Sequence, residues 1–322
     1  MTSVGRIPRQ EPRPQNSVVP SYDPGPPAPR STLGLLARGA RPRQWLKNLL
    51  VLMAPAAAGV LGEWHMTLRV LAAFLIFCVM ASGTYLVNDV IDARADRYHP
   101  VKRRRPVASG ALRPGTAATA GAALIATAIA LAIFIGPWGF AVVVVSYAGL
   151  SIAYSIRLKR EPVMELAVVA ACFVLRAVAG GVVVSVPLSN WFLVFTSFAA
   201  LFIVTGKRYA EFVHLGSEQG MHRPVLDQYS ESFLKSTLTI SVTVTVASYC
   251  LWAFARTGLL AHAGDHVVWI ELTVIPLVLS VLHILRLLDA GHGGEPENLA
   301  LRDHVLQGYG VLWLVFMLIG LY

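Results

Sequence analysis

"RVLAAFLIFCVMASGTYLVNDVIDARADRYHPVKRRRPVASG" (Arg69–Gly110) decides how this chain is read. Its first half is apolar enough to cross a bilayer, which takes ~20 such residues for ~30 Å of hydrocarbon. No water reaches a backbone in lipid, so the run must be helical. The same stretch then carries Asn88, Asp89, Asp92 and Asp96, and an unbroken Lys102-Arg103-Arg104-Arg105 close behind. A membrane helix that ends in four oxygen-bearing side chains and a cationic loop asks for a chemical reason.

The rest of the chain repeats the apolar theme. Of its 322 residues 55% are hydrophobic and only 14% charged, with a mean hydropathy of +0.59. A soluble domain has no use for so much apolar surface. Nine apolar stretches are read, at 45–61, 68–88, 115–135, 138–156, 163–184, 190–206, 236–256, 267–287 and 305–322. The expected architecture is an all-α bundle of nine transmembrane helices. All but Arg69, Arg176 and Arg256 of the 27 basic residues fall in the N-terminal segment or in alternate connections. The excess of Lys and Arg on one side predicts a cytoplasmic N-terminus. The net charge of +9 is thereby mostly topology and suits anionic headgroups or phosphates rather than nucleic acid. Residues 1–40 hold eight of the 19 prolines and read as a disordered cytoplasmic tail, leaving 41–322 as the membrane catalytic domain. Cys78, Cys172 and Cys250 fall within spans and form no metal or disulfide pattern.

If the helix continues past Asn88, then Asp89, Asp92 and Asp96 share a face at steps of three and four, with Asn88 one turn before Asp92. These acids crowd a helix C-terminus, where the macrodipole is already negative. Something positive belongs there. Oxygen-only ligands suit a hard cation, and Mg²⁺ is held by one or two carboxylates while it shares phosphate oxygens. The plain alternative is pairing with Arg94, Arg97 and the basic run.

Basic residues recur at the mouths of the helices. "RPRQWLKN" (41–48) brings Lys47, "YSIRLKREP" (154–162) brings Tyr154 and Lys159, and "TGKRYAEF" (205–212) brings Lys207 and Arg208. Carboxylates and cations around one cavity suit a phosphorylated ligand. Arg176, deep in "ELAVVAACFVLRAVAGG" (165–181), costs at least ~2.5 kcal/mol if it faces lipid. Two readings stand: an internal ion pair with Glu165, eleven residues earlier, or a phosphate ligand at the cavity floor. The tryptophans near span ends, Trp45, Trp138, Trp191, Trp269 and Trp313, read as interface anchors.

"NDVIDARAD" (88–96) matches the N-D-x-x-D-x-x-x-D signature of the UbiA superfamily of intramembrane prenyltransferases, and the chain resembles that superfamily over about residues 41–322. The second superfamily signature, D-x-x-x-D after the fourth span, is missing. That region reads "YSIRLKREPVMEL" (154–166), with Lys159 in it and Glu165 where the pattern favours an aspartate. Together with "FVLRAVAGG" (173–181) this resembles the actinobacterial branch that moves a phosphoribosyl group rather than a prenyl group. The resemblance implies transfer from 5-phosphoribosyl 1-diphosphate to decaprenyl phosphate or a related polyprenyl phosphate, releasing diphosphate, at the cytoplasmic face of the plasma membrane. The product would feed cell-wall arabinan. The expected cofactor is Mg²⁺, on Asn88, Asp89, Asp92 and Asp96. The expected catalytic residues are Asp89, Asp92, Lys102 and Arg103. The expected substrate-binding residues are Lys47, Arg105, Tyr154, Lys159, Arg176, Lys207 and Arg208. A homo-oligomer is left open. The rival is a prenyltransferase acting on an aromatic or other acceptor, which needs a second metal-binding carboxylate pair. A transporter is the other class, disfavoured because only Arg176 lies near the midplane where transporters hold their cargo.

Overall fold

The computed structural model describes residues 31–215, 225–260, 268–291 and 302–321. These residues are all-helical, with no strand among them. Most of the stretch read as a tail lies outside the described residues, but Thr32–Gly39 inside it forms a helix, α1, whose Leu35 is buried.

Residues 45–61, expected as the first of nine spans, are not one helix. Pro42–Leu52 is a 3₁₀ helix, Met53–Ala58 a short α-helix (α2) and Val60–Gly62 another 3₁₀ turn. Gly59, at φ 75°, closes α2 in the left-handed conformation that glycine adopts without strain. The longer helices follow: α3 (Trp64–Tyr98), α4 (Pro114–Ile135), α5 (Trp138–Ile156), α6 (Met164–Val183), α7 (Asn190–Leu215) and α8 (Glu231–Leu260). A short α9 (Val268–Leu272) runs into α10 (Val274–Asp289), and α11 (His304–Leu321) ends the described chain. Counting α9 with α10, eight helical segments among the described residues are long and apolar enough to cross a membrane. The ninth span is not confirmed among the described residues: the first stretch is 3₁₀ over Pro42–Leu52 and α-helical only over Met53–Ala58, so it forms no single long α-helix.

Proline and glycine punctuate the bundle. Pro114 opens α4, Gly136 closes it, and Pro137 precedes α5. The 35 residues of α3 make a rod ~52 Å long at 1.5 Å per residue. One core joins α3, α5 and α6 around Phe77, Phe140 and Tyr147, and a second joins α6, α7, α8 and α10 around Phe202, Leu226 and Leu234. α11 starts on a cap: the Asp303 carboxylate accepts the Val305 and Leu306 N–H groups at 2.9 Å, and His283 of α10 lies 3.1 Å from its other oxygen. Two of the expected interface tryptophans point inward instead, because their indole N–H groups find partners there. Trp45 donates to Ser82 and Trp313 to Tyr249, whereas Trp138 is exposed.

Candidate active site

The last turns of α3 sort their oxygens into two groups. Asp89 and Asp96 are buried. Asp89 accepts from Arg41 and, at 3.3 Å, from Arg105, which also binds Asp96 at 2.6 Å. One guanidinium thus bridges two carboxylates two turns apart, as the seven-residue spacing permits. Asn88 and Asp92 instead line a cavity of about 720 Å³. Asp92 pairs with Lys159, from the 3₁₀ turn between α5 and α6.

The cavity collects most of the residues expected from sequence. Lys47, Lys102, Arg105, Tyr154, Lys159, Arg176, Lys207 and Arg208 all lie on its wall. Arg103, expected to be catalytic, is exposed and is not on that wall, and Arg104 is likewise exposed. With Arg41, eight cationic side chains line the cavity against two carboxylates, Asp92 and Glu211. Val168, Val169, Phe173, Ile203 and Val204 supply an apolar flank.

Two buried arginines differ in their company. Arg208 donates to Glu165 at 2.7 Å and to Glu211 at 2.9 Å. Glu165 has no exposed surface, and its second carboxylate oxygen has no partner among the described residues. It enters α6 directly behind Val163, whose φ of 63° is strained for a β-branched residue. The Val163 N–H donates to the Tyr229 hydroxyl at 2.9 Å, which anchors that bend. Arg176 does not pair with Glu165, because eleven residues of helix set them ~16 Å apart along the axis. Its guanidinium instead donates to the Asn48 side-chain oxygen (2.8 Å), the Cys172 carbonyl (2.7 Å) and the Tyr147 hydroxyl (2.7 Å).

Among the described residues no three His, Cys, Asp or Glu side chains form a ready-made metal cage. The donor set still suits a divalent ion that brings its own phosphate ligands, since Asn88 and Asp92 both face the cavity. Asp92 is engaged by Lys159, as Asp89 and Asp96 are by arginines, so each would have to leave its cation to reach a metal, but Asp89 and Asp96 are also buried off the cavity wall.

Sequence reasoning missed Asn48 and Tyr147. Asn48 was visible in principle as a lone amide in the apolar run "LKNLLVL" (46–52), since a polar group in such a run must find a partner. Tyr147 gave no signal, because tyrosine is ordinary in an apolar helix.

The chain matches the model of the UbiA prenyltransferase family over residues 49–302. A decaprenyl-phosphate phosphoribosyltransferase of Mycobacterium tuberculosis is 41% identical over 291 residues, covering 89% of this chain and 94% of that one. The enzyme of the same name from Corynebacterium glutamicum is 38% identical over 298 residues, covering 91% and 89%. Among solved structures, a UbiA homolog from Archaeoglobus fulgidus bound to GPP and Mg²⁺ superposes with a TM-score of 0.65 at 19% identity, over 89% of this chain and 98% of the other.

Proposed function

The chain belongs to the UbiA prenyltransferase family, and on that premise we propose that it transfers the 5-phosphoribosyl group of 5-phosphoribosyl 1-diphosphate to decaprenyl phosphate or a related polyprenyl phosphate. The observation that carries this reading is the cavity's charge: eight cations face two carboxylates, and the place of a second metal-binding acid pair is held by Lys159 and by Glu165 bound to Arg208. A prenyl diphosphate donor needs two acidic clusters. A donor with one diphosphate and an acceptor with one monophosphate need one such cluster and many Lys and Arg.

Asn88 and Asp92 would hold Mg²⁺, with Asp89 and Asp96 behind them positioning Arg41 and Arg105. When bound, the ion would neutralise the diphosphate and make it a better leaving group. Lys102 and Arg105 face the same volume and offset charge that develops as the C1–oxygen bond breaks, an electrostatic contribution aimed at the transition state. Lys159, beside Asp92, and Lys207 and Arg208 from α7 bind phosphate oxygens, with Lys47 and Tyr154 on the same cavity wall. The acceptor phosphate oxygen is already ionised at neutral pH, so its attack on the anomeric carbon requires no general base. The new C1–oxygen bond forms as diphosphate departs, through an oxocarbenium-like state and with inversion. The apolar flank receives the first isoprene units while the rest of the tail stays in lipid. The basic face, and the cavity with it, is assigned to the cytoplasmic side of the plasma membrane, where the water-soluble donor is found.

Purified protein in detergent, given Mg²⁺, decaprenyl phosphate and donor labelled in the ribose, should carry label into the lipid fraction and release diphosphate. Label that stays in the aqueous phase while a prenyl diphosphate is consumed would overturn the proposal.

A further inference from the structure

We infer that Arg176, framed by Asn48 and Tyr147, is a prebuilt subsite for a single phosphate monoester at the inner end of the cavity, separate from the diphosphate end at Asn88 and Asp92. The inference rests on the phosphoribosyl-transfer reading and says how that site divides its anions.

Arg176 is only 4% exposed, and it sits twelve residues into α6, ~18 Å from the start of the helix. Every hydrogen-bond partner it has among the described residues is neutral: an amide oxygen, a carbonyl and a phenol. No carboxylate lies within ion-pair distance of it there, although Arg208 has two and Arg105 has two. A guanidinium has five N–H donors. Three are used, and the remaining two, one on each terminal nitrogen, have no described partner. Because Arg176 lines the cavity, those donors and an unneutralised charge are offered to whatever enters it. A fork of this kind matches a phosphate better than a lysine does.

The fork is also held still. The guanidinium lies over the Tyr147 ring at 4.7 Å and near the Phe173 ring at 5.5 Å. Asn48 is fully buried, and its amide nitrogen donates to the Cys78 sulfur at 3.3 Å, which leaves the amide oxygen for Arg176. Cys78 lies ten residues before Asn88 on α3, so this level is ~15 Å down the helix from the diphosphate end. A single phosphate group cannot bridge that distance, but a pentose with a phosphate at either end is of the right order. The chemistry that fits is a phosphate monoester, and the donor's 5-phosphate is the one that can sit there while C1 stays at the diphosphate end, where the acceptor must attack.

The test pairs changes in the protein with changes in the substrate. Wild type and Arg176→Gln are compared with 5-phosphoribosyl 1-diphosphate, with ribosyl 1-diphosphate lacking the 5-phosphate, and across decaprenyl phosphate concentrations. If the subsite takes the donor, wild type prefers the phosphorylated sugar by about 100-fold in kcat/KM, and Arg176→Gln abolishes that preference while the KM for the lipid holds. If the donor preference survives and the lipid KM rises 10-fold or more instead, Arg176 serves the acceptor and this division of the anions is overturned. An equal loss with both donors, with both KM values unchanged, makes Arg176 structural and ends the inference. Tyr147→Phe, which removes one hydroxyl and keeps the ring, should shift the same parameter about 3- to 10-fold and serves if Arg176→Gln does not fold. A binding arm needs no turnover. Millimolar inorganic phosphate should raise the melting temperature of wild type but not of Arg176→Gln, and equal shifts would sink the subsite even if the transfer reading itself had failed.

Discussion

Gly180 is where the broken first segment meets α6, and replacing it offers a direct test of how that junction sets the cavity floor. A Cβ built on Gly180 would lie 1.7 Å from the Val51 carbonyl oxygen and 2.8 Å from its carbon. Real Cβ contacts stop near 3.0 Å, so Gly180→Ala must push the Pro42–Leu52 helix back by roughly 1.3 Å, the difference of those two distances. Backbone rather than a flexible side chain has to yield, which places the cost at about 1–3 kcal/mol or above. Val51 is three residues from Asn48 on the same 3₁₀ helix. The retreat therefore stretches the 2.8 Å bond between Asn48 and Arg176 past ordinary hydrogen-bond range. A displacement of ~1 Å in a positioning group costs about 100-fold in rate. Gly149→Ala is the matched control: the same methyl, also within a helix, with nothing within 4 Å. Thermal unfolding in detergent and transfer of labelled ribose phosphate should show Gly180→Ala clearly less stable and 10- to 100-fold slower. Gly149→Ala should keep its activity and gain up to ~1 kcal/mol. If the two variants cannot be told apart in either assay, the reasoning from the junction to the floor is wrong.

Asp92→Ala should lower turnover at least about 100-fold with little change in melting temperature, because Asp92 faces the cavity. Asp89→Ala should cost about 3 kcal/mol of stability as well as activity, since it leaves Arg41 without its carboxylate and Arg105 with Asp96 alone; equal melting temperatures for the two variants would contradict the division of roles on α3. Arg104→Ala, at an exposed position off the cavity wall, should change kcat/KM less than about 3-fold, and a larger loss would mean that the loop enters the site. The Leu306 backbone N–H, aided by His283, holds the Asp303 carboxyl below the usual carboxylate range. A depressed native pKa means that this cap stabilises fully above the ordinary carboxylate pKa and is lost as pH falls through the lower native value. Asp303→Ala should therefore lower the melting temperature at pH 7 and flatten its decline in acid, and parallel curves for the two proteins would refute the cap.

Much of the fold and of the cavity could be read from residues alone, for physical reasons. Lipid forbids unpaired backbone, so apolar length reports helices directly, and α3 to α8 lie where hydropathy puts them. Basic residues at helix mouths and one arginine deep in an apolar helix stand out in the sequence, which is why Lys159, Lys207 and Arg176 are legible as cavity lining. What was hidden depends on backbone geometry or on distance. The change from 3₁₀ to α-helix at Leu52–Met53 within the first apolar stretch leaves no mark in a hydropathy profile. The helical spacing of Asp89, Asp92 and Asp96, with Asn88 one turn before Asp92, was legible, but their division into a buried pair and a cavity pair goes with Arg41 and Arg105, and Arg41 is 48 residues from Asp89. Glu165 and Arg176 share a face by periodicity yet cannot meet, since a common stripe fixes direction and leaves height unspecified.

α3 is ~20 Å longer than the oil it crosses. Its acidic turns, in the last eleven residues of the rod, therefore stand like a pier head above the hydrocarbon. The sugar donor never has to dissolve in lipid. A polyprenol, moored by its own tail, must lift its phosphate to the level of that landing, so a rigid stem fixes the altitude at which a molecule of the water and a molecule of the membrane can meet.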